Sequence, residues 1–246
     1  MPRPVFALVA ALALAACTSE ADSPDTATSA GGLDSTTVTA DAGPAIEAGV
    51  YLIDPVHSEV GFRVTHLGIS SVDGTFSGVT GTLTVPVGGG LADLQTEATV
   101  QAASVNTRNA DRDDHLRTAD FFDVAQFPTL TFRSTGIEPL GGGRFRLTGD
   151  LTMHGVTKPV VLDGEYSGAA TDGYGNRKVG FSAEGTISRS EWGLTWNQAI
   201  EAGGVVVSDE VVLRLDIQAA RQAPPDAAAD STEASPAGAD SSAADV

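Results

Sequence analysis

From Glu59 to His66 apolar and polar side chains alternate: Val60, Phe62, Val64 and His66 take one face, Glu59, Arg63 and Thr65 the other. A period of two predicts a strand with one apolar and one wet face. The pattern returns where Leu94, Ala98, Val100 and Ala102 are set against Gln95, Glu97, Thr99 and Gln101. Further strands are predicted at 74–85, 130–137, 144–153, 159–167, 178–187 and 205–217. Turn signals punctuate them, among them Gly88-Gly89-Gly90, Gly141-Gly142-Gly143 and Asp172-Gly173-Tyr174-Gly175. About eight strands in roughly 170 residues, 49–219, predict one all-β domain, an eight-stranded antiparallel barrel. Eight is the strand number at which a closed barrel can enclose one small ligand, and closure also removes exposed edges.

Two segments break the alternation. Residues 106–127 are too charged and too long for a hairpin loop; they predict a short amphipathic helical insertion carrying Leu116 and Ala119, with Phe121 and Phe122 just beyond, against the barrel or over its mouth. A second short irregular piece is expected at Trp192-Gly193-Leu194-Thr195-Trp196-Asn197. The apolar faces offer Val60, Phe62, Val64, Phe76, Leu83, Val100, Leu130, Phe132, Phe145, Leu147, Leu151, Val161, Phe181 and Ile187 as interior residues. Phe121, Phe122, Trp192 and Trp196 join them because they flank irregular chain. Side chains fill many small barrels, and periodicity does not separate a filled barrel from a hollow one.

The two ends of the chain change the picture. Arg3, the apolar run Val5 to Ala16 and then Cys17 form a signal peptide, 1–16, too short for a permanent span of about 20 apolar residues. Leu14-Ala15-Ala16-Cys17 resembles a bacterial lipobox, which makes Cys17 the expected lipidation site and the membrane contact a lipid anchor only. Residues 17–48 and 220–246 are rich in Ser, Thr, Ala, Asp and Gly and poor in large apolar side chains, so a disordered spacer and a disordered acidic tail are expected. Cys17 is the sole cysteine, which excludes an intramolecular disulfide. Against 32 Asp plus Glu stand 14 Lys plus Arg, a net charge of −18 that argues against nucleic acid or an anionic lipid surface as partner.

Chemistry-bearing patterns are sparse. His57 and His66 lie nine residues apart in extended chain, on opposite faces, and His115 and His154 have no metal-ligand spacing; no metal and no cofactor are expected. His66 on the apolar face is expected to make a core hydrogen bond or to meet a ligand headgroup, and His154 to fix its turn. Asp113 and Asp114 beside Arg112 and Arg117 read as a solvated charged helix face rather than an acid and base pair. No nucleophile elbow, phosphate-cradling loop or dinucleotide fingerprint occurs, so no catalytic residue is expected.

Several blocks, in order, resemble the YceI-like proteins. They are Asp54-Pro55-Val56-His57-Ser58 with Val60, Phe62, Val64 and His66-Leu67-Gly68; Thr107 with Arg112-Asp113-Asp114-His115-Leu116 and Asp120-Phe121-Phe122-Asp123; Phe127-Pro128 and Phe132; Gly149 to Pro159; and Ser188-Arg189-Ser190-Glu191-Trp192-Gly193-Leu194. Trp192 replaces a usual Phe. The resemblance implies a lipocalin-like barrel, often exported to the periplasm; the lipobox adds the expectation of a cell-envelope lipoprotein, periplasm-facing or on the outer-membrane surface if the host is Gram-negative. The resemblance also implies an apolar cavity for a polyisoprenoid or another long-chain amphiphile, and it admits a homodimer. The expected ligand-binding residues are Phe62, Val64, His66, Phe76, Val100, Phe121, Phe122, Leu130, Phe132, Leu151, Phe181, Trp192 and Trp196. The alternative is a solid barrel that contacts a partner protein through 106–127.

Overall fold

The computed structural model describes residues 44–199 and 204–223. The expected signal peptide, Cys17, most of the spacer and most of the acidic tail lie outside these residues. Eleven strands form one antiparallel sheet: β1 Gly49–Ile53, β2 Glu59–His66, β3 Ser70–Phe76, β4 Val79–Val85, β5 Gln95–Gln101, β6 Val105–Asn106, β7 Thr129–Gly141, β8 Arg144–Met153, β9 Val156–Thr171, β10 Arg177–Ser188 and β11 Val207–Arg221. One helix, α1 Ala110–Arg117, lies between β6 and β7.

These strands make an eight-stranded closed barrel because three of its staves are kinked. β1 pairs with β4 (Tyr51 opposite Leu83) and β2 with β3 (Val60 opposite Phe76), so β1 and β2 form one interrupted stave and β3 and β4 its neighbour. β5 and β6 form the next, pairing with β4 and β3. β11 closes the ring, bonded along one edge to β10 and along the other to β2 and then β1.

The kink between β1 and β2 has a local cause. Pro55 has no N–H to give a ladder, and the Asp54 carboxylate accepts from Val56 N at 3.0 Å and pairs with His57 Nδ1 at 2.9 Å, a turn built by one side chain. The same carboxylate accepts from Lys178 Nζ on β10 and Gln218 Nε2 on β11, each at 3.2 Å, and Asp54 N donates to Gln218 O at 2.8 Å. The bend is thereby fastened to the strands that close the barrel.

The folded body extends slightly past the expected 49–219. Ile46 is buried, Tyr51 Oη donates to Glu47 O at 2.8 Å, and β11 continues to Arg221, with Gln222 N donating to Val50 O at 2.7 Å. Pairing with β1 orders chain that composition alone assigns to a spacer and a tail.

His57, and after it Lys178 and the Val56 N–H, hold the Asp54 carboxyl well below the usual carboxylate range against the opposing effect of burial. A carboxyl depressed on folding stabilises fully above its unfolded pKa and loses that contribution as pH falls through the folded value. Asp54→Asn is therefore expected to lower the melting temperature at neutral pH by roughly 2–6 °C, with the gap to wild type closing progressively as pH falls below about 4. Circular-dichroism melts across that range measure it.

Candidate functional site: the barrel interior

Alternation along each strand sends one apolar row inward, and the inward rows do not meet. They enclose a cavity of about 230 Å³. β2 gives Val60, Phe62 and Val64 to its wall, β3 and β4 give Phe76 and Leu83, β5 Val100, β7 Leu130 and Phe132, β8 Phe145, Leu147 and Leu151, and β10 Phe181 and Ile187. β11, whose inner face was not singled out in the sequence, adds Val211, Leu213, Leu215 and Ile217. Phe62, Val64, Leu130, Phe132 and Leu151 all face inward yet are only half-buried. Their remaining exposure is to the empty interior, the mark of a hollow barrel. The solid barrel of the alternative reading is not what the chain forms.

Hollowness has a mechanism in two pairs of opposed residues. Phe62 faces Gly74 across β2 and β3, and Phe145 faces Gly164 across β8 and β9. A Cβ on Gly74 would stand 2.2 Å from Phe62 Cζ, and one on Gly164 would stand 2.5 Å from Phe145 Cζ. The rings thus lie over the neighbouring strand, in space that only glycine leaves free, and stay out of the centre.

One end of the cavity is capped by Leu116 of α1, by Phe121 and Phe122 beyond it, and by Leu194. The expectation of an amphipathic helix is corrected here: among the large side chains of α1 only Leu116 is apolar, and polar bonds hold the helix in place. Asn109 caps it by accepting from Arg112 N at 3.0 Å. Asp113, expected on a solvated face, is buried and accepts from Thr107 N at 2.8 Å and Thr107 Oγ1 at 2.5 Å. Arg112 Nε donates to Thr107 Oγ1 at 2.7 Å, and Arg117 donates to the carbonyls of Ala103 and Val105, each at 2.9 Å. Asp114 does stay outside, paired with Arg117 at 2.8 Å.

Four expected interior residues are not on the cavity wall. His66 ends β2 at the rim, opposite Ser70 and Val207, where the row of inward residues has run past the cavity. Trp192 is 1% exposed, but its indole N–H donates to Leu151 O at 3.1 Å, so the ring fills the wall rather than the lumen. Trp196 packs behind Phe121 at 5.2 Å and edge-on to His115 at 4.9 Å, outside the cavity. Val161 points outward, because Val160 and Leu162 hold the inward positions of that strand. His154, in a left-handed turn at φ 51°, lies with Nδ1 3.2 Å from Trp192 O and packs on Phe127, consistent with a turn-fixing role.

Among the described residues, Thr96 and Arg189 are the polar side chains whose parity aims them at the wall; Thr131 and Ser182, each between two inward neighbours, turn their side chains outward. Arg189 was not singled out as a site in the sequence, although the inward parity of Phe181, Ala183 and Ile187 carries on to it. It opens a short 3-10 turn, Arg189–Trp192, that Gly193 ends in a left-handed conformation at φ 81°. Burial pushes its guanidinium pKa down, partly countered by the charge of Asp209.

A barrel with this interior has relatives. Residues 51–219 match the family model of the YceI-like domain. The chain belongs to that family. Protein YceI of Escherichia coli O157:H7 is 41% identical over 155 residues, which is 62% of this chain and 80% of that protein. A Campylobacter jejuni YCEI protein of known structure superposes with a TM-score of 0.56 at 34% identity, over 65% of this chain and 90% of its own. A polyisoprenoid binding domain from Saccharophagus degradans, implicated in plant cell wall breakdown, covers 72% of this chain and 100% of its own at a TM-score of 0.52; at 15% identity the likeness is one of fold.

If the flat-lying rings keep the YceI-like barrel open, a side chain at position 74 should close part of it. Gly74→Ala is expected to swing the Phe62 ring inward, cost about 1–3 kcal/mol in overpacking and reduce uptake of a fluorescent fatty probe. Urea melts and probe titration check both, and unchanged uptake would contradict the mechanism.

Proposed function

We propose that this YceI-like domain is a binding or carrier protein, not an enzyme, that takes one polyisoprenoid or other long-chain amphiphile into its barrel at the cell envelope. The observation that carries the reading is the hollow, almost wholly apolar interior. An enclosed hydrocarbon chain gains roughly 0.8 kcal/mol per methylene, so about 16 carbons offer on the order of 13 kcal/mol, against about 4–15 kcal/mol consumed by association. Long chains clear that cost and short ones do not. The fold likeness to a polyisoprenoid binding domain supports the ligand class. The lipobox-like run ending at Cys17 supports an envelope address, with two or more acyl chains supplying the stable hold that one alone does not.

Protein purified from its own host is expected to release a long-chain lipid in organic extraction and to show the corresponding added mass in native mass spectrometry. Reloading the stripped protein at about 100 times the dissociation constant should raise its melting temperature by roughly 5–10 °C. Repeated recovery without lipid and without a thermal shift would count against the carrier.

The anchor is tested separately. Cys17→Ala should move the protein from membrane to soluble fractions, and unchanged retention would refute lipidation at that thiol.

A further inference from the structure

Among the described residues Arg189 is the one charged side chain on the cavity wall, and it is 6% exposed. Its five N–H donors find two neutral carbonyls: Nε donates to Ser208 O at 2.9 Å, and Nη1 donates to Leu194 O. No carboxylate pairs with it among the described residues. Asp209, the acidic neighbour whose charge reaches it, directs its own oxygens to Ser190, taking the backbone N–H at 3.0 Å and the hydroxyl at 2.9 Å. An arginine keeps its proton even where burial disfavours the charge, and an isolated buried charge is costly. The remaining donors have no partner among the described residues, and Arg189 lines the apolar cavity.

The geometry points to Arg189 as the seat of an anionic headgroup, so that the ligand is an acidic amphiphile whose carboxylate or phosphate oxygens meet the guanidinium while its chain lies along the barrel. This rests on the cavity reading above and narrows it. A planar guanidinium suits both head groups, since each offers it two oxygens at once. The net charge of −18 governs what the outer surface attracts; within a low-dielectric cavity the one local cation decides. The position also orders the ligand. Arg189 sits at the end capped by Leu194 and α1, so the chain runs from there between Phe62 and Phe132 toward Phe145.

The test titrates lipid-stripped wild-type protein with two matched pairs, oleic acid against oleyl alcohol and farnesyl phosphate against farnesol. At least one acid is expected to bind roughly ten- to hundredfold more tightly than its alcohol. Preference in the oleyl pair identifies a carboxylate, and preference in the farnesyl pair a phosphate. Arg189→Met should erase the preference while alcohol binding persists, which also reports that the barrel has kept its fold. Arg189→Lys, with its charge kept and its fork lost, should retain a reduced preference and serves if Arg189→Met does not fold. Equal affinity for acid and alcohol in wild type, or a preference that survives Arg189→Met, overturns the headgroup role and leaves the cavity reading intact. Failure of all four ligands to bind overturns both.

Discussion

An apolar surface left unfilled inside a protein forgoes the dispersion contacts that a packed core would make. At about 24 cal/mol per Å³, a cavity of about 230 Å³ corresponds to stability on the order of 5 kcal/mol. A domain is typically stable by only about 5–15 kcal/mol, so such a void is tolerated only where the surrounding frame resists collapse. Here the frame is the closed ladder. β11 bonds to β10 on one side and to β2 and β1 on the other, and no strand can move inward without breaking backbone hydrogen bonds on both its edges. Glycines opposite Phe62 and Phe145 let the largest side chains lie against that frame. Closure, ring placement and ligand capacity are thus one property.

The barrel's strand number is legible in the sequence because the long strands each present an apolar row and a wet row, whereas the short β1 and β6 and the break between β3 and β4 at 77–78 carry no such signal. The phase is lost only where both rows are apolar. In Val160-Val161-Leu162 nothing in the pattern says which residue turns inward, and the register with β8 decides for Val160 and Leu162. The kinks are less visible, since Asp54 acts through partners 124 and 164 residues away.

The site was legible in part, for a different reason. Apolar positions on regular strands reach the cavity because parity alone aims them. Trp192 and Trp196 lie in irregular chain, where composition marks them as apolar but nothing local sets their direction; one is drawn into the wall by Leu151 O and the other onto His115. Asp113 and Arg112 look like ordinary helix surface until Thr107, before the helix, is seen to face them. Hollowness is the least legible feature, because it depends on where ring tips come to rest and not on which residues carry rings.

Strand order has one further consequence. Gly49 at the start of β1 lies beside Val85, and Tyr51 opposite Arg221, so the ordered chain enters and leaves the barrel at a single pole. α1, the His154 turn and Arg189 occupy the opposite pole. Tags, surface immobilisation or fusion partners joined directly at residue 44 or residue 223 would therefore crowd only the first pole, leaving the second unobstructed.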